Sequence, residues 1–428
     1  MSLVGDSLSP YFRLMKSSPP NPAKRIRELE PPGFRPARKG RGARVNPTGR
    51  FEQRHVEPDF EHLDHLGHPD HLDHLEDGDH PVDIEHFDDA QHTQLTHLDS
   101  ETQLEATAAL PPAPRTEIIP DASRSALTRN KSPDIPFQFS LNPYRGCEHG
   151  CAYCYARPTH EYLGYSAGLD FETKILVKER APELLRKELS ARSWKPQVVA
   201  ISGVTDAYQP IERRLEITRR CLEVFAEFRN PITIITKSAL VTRDIDLLQR
   251  LAADQAVSVA LSITTLNPEL QRVLEPRASS SKERLRAIKT LTDAGIPTGV
   301  MVAPILPGLT DMETPALLEA AASAGAGWAG QTVLRLPHGV REIFDDWLLT
   351  HRPLRRKKVL SRLESLRGGR LNDPRFGTRM RGEGRFAAQI ADLFRLWARR
   401  QGLEGPAPTL SAAAFRRPGG TQLSLELD

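Results

Sequence analysis

A chain of 428 residues with a formal net charge of +3 has room for two or three domains, or one large domain with extensions. No apolar run approaches the roughly 20 residues that span a bilayer, and the Pro- and Arg-dominated N-terminus has no apolar signal core, so a soluble cytoplasmic protein without a membrane partner is expected. Four cysteines, three of them bunched, exclude a disulfide framework and point to metal or catalysis.

The charge is distributed in blocks. Residues 1–50 hold eleven Lys or Arg against three acids, and residues 51–100 hold fifteen acids against one Arg. The first block, with "SSPPNPAKRIRELEPPGFRPARKGRGARVNPTGR", is too poor in apolar residues to build a core. The second contains "HLDHLGHPDHLDHLEDGDH" and ten of the fourteen histidines, a low-complexity acidic insert that also suits weak binding of iron, nickel or zinc. Residues 1–110 are therefore expected to form a disordered extension, basic and then His/Asp-rich, dispensable for the rest.

From about residue 137, short β-branched runs alternate with amphipathic stretches. The runs are "FQFSLN", "VVAISG", "ITIITK", "VSVALSI", "TGVMVAP" and "TVLRL", and helical spacing falls near 180–194, 211–229, 240–254, 281–294 and 313–324. Such alternation predicts an α/β fold with a parallel sheet and right-handed crossovers. Six repeats rather than eight predict an open, partial (βα)6 barrel over residues 111–345, with function at the carboxyl ends of its strands. Residues 346–428 read as a helical, basic extension, with seventeen Lys or Arg against five acids between 352 and 417.

Directly after the first strand comes "NPYRGCEHGCAYCYAR", which spaces Cys147, Cys151 and Cys154 as C-x3-C-x2-C. A [4Fe–4S] cube takes one ligand per iron, so three thiolates leave one iron open to a substrate or cofactor. The alternative is a zinc knuckle completed by His149 or His160. Cys221, on an apolar helix stripe, reads as a small buried residue.

This loop, with an aromatic before its last cysteine and a (βα)6 pattern behind it, resembles the radical S-adenosylmethionine (radical SAM) superfamily. Together with "SGVTDAYQPIE" and "ITKSALVTRDIDLL", it is similar to the branch of spore photoproduct lyase and its uncharacterised relatives, over about 115–425. The resemblance implies a radical-SAM-type barrel carrying a [4Fe–4S] cluster, with S-adenosylmethionine on the fourth iron. It further implies cleavage of that cofactor, by an electron from a donor such as flavodoxin or ferredoxin, to a 5′-deoxyadenosyl radical.

By the same resemblance, Tyr153 flanks the adenine and Tyr155 lines the active site as the candidate catalytic residue. Gly203, Thr205 and Asp206 stand where a Gly-rich motif meets the methionine amino group, although the Glu common there is absent and Gly203 also suits a plain strand-end turn. Lys237 is placed to pair with the methionine carboxylate and Ser262 to touch the ribose. Arg277 either reaches the carboxylate or is a solvated surface arginine.

The lyase of that branch acts on DNA and uses a cysteine near the end of the second strand. "ISGVTDA" has none, so a photoproduct reaction is not implied; Tyr155 and Tyr208 are the nearby phenols. The basic blocks suit a polyanion such as nucleic acid, and equally a solvated surface. The expectation is a radical SAM enzyme, lyase-like but of unassigned reaction. The alternative is a non-catalytic iron–sulfur protein that binds nucleic acid.

Overall fold

The run "VSVALSI" becomes Val257–Ile263, a strand whose seven residues are all buried. An apolar run without alternation is what a strand covered on both faces requires. This strand, β8, is an interior strand of a seven-stranded sheet in a computed structural model that describes residues 40–51 and 115–418. Around it lie β2 (Leu127–Arg129), β3 (Phe139–Leu141), β6 (Val199–Ile201), β7 (Ile232–Thr236), β9 (Thr298–Ile305) and β10 (Ala329–Val333). The order is β10-β9-β8-β7-β6-β3-β2. The strands from β3 to β10 pair in parallel, and β2 alone runs antiparallel, on the outer side of β3. This is the expected six-stranded parallel array of a partial barrel. A small second sheet joins β1 (Glu117–Pro120), β5 (Lys174–Val177) and β4 (Tyr144–Arg145) in the order β1-β5-β4.

The helices and strands follow the sequence pattern, with two informative differences. The stretch 211–229 is two helices, Glu212–Leu215 and Ile217–Phe228, separated by Glu216 in the left-handed region at φ 53°. The buried Glu212 carboxylate accepts the Thr218 and Arg219 N–H groups at 3.0 and 3.3 Å, which caps the second helix and forces the break. The last strand begins three residues earlier than "TVLRL", with Ala329, Gly330 and Gln331 pairing with Val300, Met301 and Val302 of β9 before a register irregularity between Gln331 and Val333. Cys221 is fully buried on Ile217–Phe228, within the main core.

Two expected boundaries are corrected. Residue 345 lies inside the helix Val340–His351, whose Phe344, Trp347 and Leu348 share one apolar core with Cys151, Tyr153, Leu306 and Leu334. Val359 and Leu363 of the helix Pro353–Ser365 join the same core, so the C-terminal helices build the wall of the cysteine loop. The second correction concerns residues 40–51, which were expected to be part of a dispensable extension. They lie across the cysteine loop, and Ala43, Val45, Ala167, Leu169 and Ile343 form their own apolar cluster. The His/Asp-rich insert lies outside the described residues.

Candidate functional site

All six parallel strands end at one edge, and the cysteine loop leaves β3 at that edge. Four anchors set its shape. Cys147 N–H donates to Phe171 O at 2.8 Å and Glu148 N–H to Gln209 Oε1 at 2.8 Å. The Gly146 carbonyl accepts from Thr205 Oγ1 at 2.6 Å and Gln209 Nε2 at 3.2 Å. The Cys151 carbonyl accepts from Arg157 Nε and Nη2 at 3.0 and 2.8 Å. Arg157 is fully buried and paired with the buried Glu172. A desolvated cation with this many acceptors is a rigid peg rather than a surface charge.

Glu172 also fastens residues 40–51. Its carboxylate accepts the Gly42 and Ala43 N–H groups at 3.1 and 2.8 Å, and Arg41 Nη1 donates to its backbone carbonyl at 2.8 Å. Asn46 Oδ1 accepts from Leu169 N–H at 2.6 Å, and Ser166 Oγ donates to Pro47 O at 2.9 Å.

The three thiols are free and lie within shared apolar surroundings, Cys147 with Cys154 and Cys151 with Cys154. Burial pushes all three up from the ordinary thiol range, so a metal must displace a proton from each. Among the described residues, no three His, Cys, Asp or Glu side chains converge on a point that could hold one metal ion. A zinc knuckle needs such convergence, whereas a cube offers each thiolate its own iron. Each histidine has one ring nitrogen engaged, and His160 Nδ1 is buried without a hydrogen-bond partner among the described residues. His149 Nδ1 faces Asp206 Oδ2 at 3.4 Å, and His160 Nε2 meets Lys174 O at 3.0 Å. The donor set, three thiols on one pegged loop in shared apolar surroundings, fits a site-differentiated cluster.

Behind the loop is a polar network that sequence reasoning missed. Its centre is Glu275, fully buried at the end of the helix Pro268–Leu274. It accepts from Tyr153 Oη, Thr264 Oγ1 and Arg284 Nη2, and Lys237 Nζ lies 3.6 Å away. Burial alone would raise its pKa, but Arg284 and Lys237 outweigh burial and hold it down to about 2. Lys237 Nζ also donates to Ser262 Oγ at 2.6 Å and Ala303 O at 2.8 Å. Tyr153, Lys237 and Ser262 are therefore brought together, at the ends of β7 and β8.

Asp206 joins three elements. It accepts from Thr236 Oγ1 at 2.7 Å and Lys237 N–H at 2.8 Å, and it faces His149. Ser202 and Gly203 precede it with φ of 103° and 142°, a strained pair at the end of β6. Tyr155 Oη donates to the Gly203 carbonyl at 2.7 Å. Burial raises the Tyr155 pKa to about 12, yet the side chain is 52% exposed. Tyr155 is thus a half-exposed ring anchored to the end of β6 and covered on one face by Arg335. Arg277 is ion-paired with Glu148 at 3.0 Å and is not a free surface arginine. Tyr208 is fully buried in the core and faces no mouth.

The radical SAM superfamily pattern matches residues 141–321. An uncharacterised protein of Mycobacterium tuberculosis is 40% identical over 237 residues, 54% of this chain and 68% of that protein. The chain belongs to the radical SAM superfamily. Another uncharacterised relative, from Methanocaldococcus jannaschii, is 32% identical over 198 residues, 46% of this chain and 71% of the relative. A spore photoproduct lyase variant solved with S-adenosylmethionine and a dinucleoside spore photoproduct has a similar fold, with TM-score 0.51 and 16% identity over 69% of this chain and 82% of that one. A radical SAM Nα-GlyT isomerase of Pseudomonas phage M6 is 29% identical over 168 residues, 39% of this chain and 33% of the isomerase. As a radical SAM enzyme the protein uses a [4Fe–4S] cluster and S-adenosylmethionine, and the non-catalytic alternative is set aside.

Proposed function

We propose that Cys147, Cys151 and Cys154 each hold one iron of the cluster and that S-adenosylmethionine completes the fourth, above the ends of β6, β7 and β8. The observation that carries this reading is the pegged loop with three enclosed thiols at the carboxyl edge of the sheet. When bound, cluster and cofactor supply a carbon-centred radical that abstracts hydrogen from a substrate. The chain positions the rest. Gly203, Thr205 and Asp206 line the methionine end, with Thr205 also fixing Gly146. Lys237 brings positive charge toward the methionine carboxylate, Ser262 stands beside it for the ribose, and Tyr153 walls the adenine side. Arg277, paired with Glu148, steadies the loop beside Cys147. Tyr155 lines the mouth where substrate meets the radical.

The substrate class we infer is nucleic acid. The fold is shared with a lyase solved with a dinucleoside photoproduct, and Arg335, just past the end of β10, lies over the Tyr155 ring. A one-electron donor such as flavodoxin or ferredoxin completes the system. The test is anaerobic reconstitution followed by product analysis with and without single-stranded DNA. Formation of 5′-deoxyadenosine together with a modified nucleotide supports the reading, and 5′-deoxyadenosine formation indifferent to DNA and RNA contradicts the substrate class.

A further inference from the structure

Most arginines near the mouth are already paired. Arg375 holds Asp373 and Glu383, and Arg379 holds Asp134 and donates to Ser132 Oγ at 2.5 Å. Arg362 holds Asp311 and Arg356 holds Asp345. Arg335 differs. It follows the end of β10, and its guanidinium carbon lies 5.6 Å from the centre of the Tyr155 ring. Among the described residues no carboxylate is in ion-pair contact with it. Its Nε is shut off from solvent with no hydrogen-bond partner, and Nη1 has only the Met380 sulfur at 3.5 Å.

The surroundings sharpen the deficit. Arg367, also without a carboxylate contact, lies close behind and spends Nη1 on Arg379 O at 3.0 Å and Nη2 on Leu334 O at 2.5 Å, while its own Nε has no partner. A guanidinium removed from water usually finds an anion with two oxygens for its planar fork. Nη2 of Arg335 is not among the shut-off atoms and has no partner among the described residues, so it and the weakly engaged Nη1 leave one side of the fork open to a ligand beside the candidate catalytic ring.

We propose that Arg335 is a substrate subsite that takes a phosphodiester group and thereby holds the neighbouring nucleoside against Tyr155. This rests on the reading that the substrate is nucleic acid. A phosphodiester presents two equivalent oxygens to the fork, stays ionised at every working pH, and recurs one nucleotide away from any base placed over the ring. No covalent step is involved; Arg335 binds and orients. Arg367 keeps the site positive without entering the contact.

The experiment is anaerobic fluorescence anisotropy of the reconstituted full chain with a labelled single-stranded 12-nucleotide DNA. It compares the unmodified protein, Arg335→Gln, Arg335→Lys, and Arg399→Gln as a charge-matched control at an exposed arginine paired with Glu404. Arg335→Gln is expected to weaken binding about tenfold to a hundredfold, the range of a charge-assisted contact, and to flatten the log–log salt slope by about 0.7, the value for one phosphate on a single strand. Arg335→Lys is expected to fall between, and Arg399→Gln to bind normally. An oligonucleotide with a single neutral methylphosphonate at the contacted linkage should bind the unmodified protein as weakly as DNA binds Arg335→Gln.

Unchanged binding in a folded Arg335→Gln overturns the subsite while leaving a nucleic-acid substrate standing. Absence of DNA binding by the unmodified protein overturns both. Weakened affinity for S-adenosylmethionine in Arg335→Gln, with DNA binding intact, assigns the arginine to the cofactor instead and overturns the proposal. If Arg335→Gln fails to fold, Arg335→Lys decides, since it keeps the charge and loses only the fork.

Discussion

Gly42 lies so close to Gly150 that a Cβ on Gly42 would stand 1.7 Å from the Gly150 carbonyl oxygen. Gly150 immediately precedes Cys151, so the segment 40–51 is seated on the cluster loop itself. Gly42→Ala is expected to unseat it, at a cost of about 1–3 kcal/mol for overpacking. Glu172→Gln would remove the charge that answers Arg157 and is expected to cost more, on the order of 3–5 kcal/mol for a broken buried pair. Both variants should show lower thermal midpoints and faster loss of cluster absorbance in air. A Gly42→Ala protein that retains its cluster as well as the parent would contradict this role.

Each of Cys147→Ala, Cys151→Ala and Cys154→Ala is expected to abolish the visible absorbance of a reconstituted cube, and Cys221→Ala to leave it in place. Iron and sulfide analysis of the four variants checks this. Full iron content in any of the first three would remove that cysteine from the ligand set.

Lys237→Ala is expected to weaken S-adenosylmethionine binding about tenfold to a hundredfold, as loss of a charge-assisted contact does. It also withdraws one of the two cations that stabilise the buried Glu275. A Lys237→Ala, Glu275→Gln double variant should therefore recover part of the lost stability but none of the lost affinity. Calorimetric titration and thermal melting separate the two effects.

His160 gives the protein a pH dependence of known sign. Burial between Tyr165 and Phe171 lowers its pKa to about 4, against the carbonyl of Lys174 and the carboxylate of Asp170, which pull upward. The unfolded chain binds the proton first, so stability is full above about pH 6.5 and falls as pH drops toward 4, by up to about 3 kcal/mol. Denaturant midpoints measured across that window should fall, and His160→Gln should reduce the slope. An identical slope in the variant would place the effect elsewhere.

The barrel strands were legible because parallel strands buried on both faces must be continuous apolar runs, as in Val257–Ile263. The cysteine loop was legible because its spacing is local. The pegs were not. Arg157, Arg284 and Glu275 look in sequence like any solvated charge, and only long-range packing shows them buried and paired. Residues 40–51 were misjudged for a related reason. Their Pro, Arg and Gly content promises no apolar core, but they are held largely by backbone N–H groups on Glu172, which composition does not report. The basic C-terminal segment was overread as free charge, since counting arginines does not count the acids that Arg356, Arg362, Arg375 and Arg379 already hold.

The central claim is that three cysteines leave one iron for S-adenosylmethionine, and its most direct test is magnetic resonance. The reduced, reconstituted protein would be measured by pulsed electron–nuclear double resonance with S-adenosylmethionine labelled at its carboxylate and amino groups. The account predicts an altered cluster spectrum on cofactor addition, with hyperfine coupling from both labelled groups, all lost in Cys154→Ala. A cluster spectrum unchanged by the cofactor, or one equivalent of zinc in place of iron and sulfide, would contradict it.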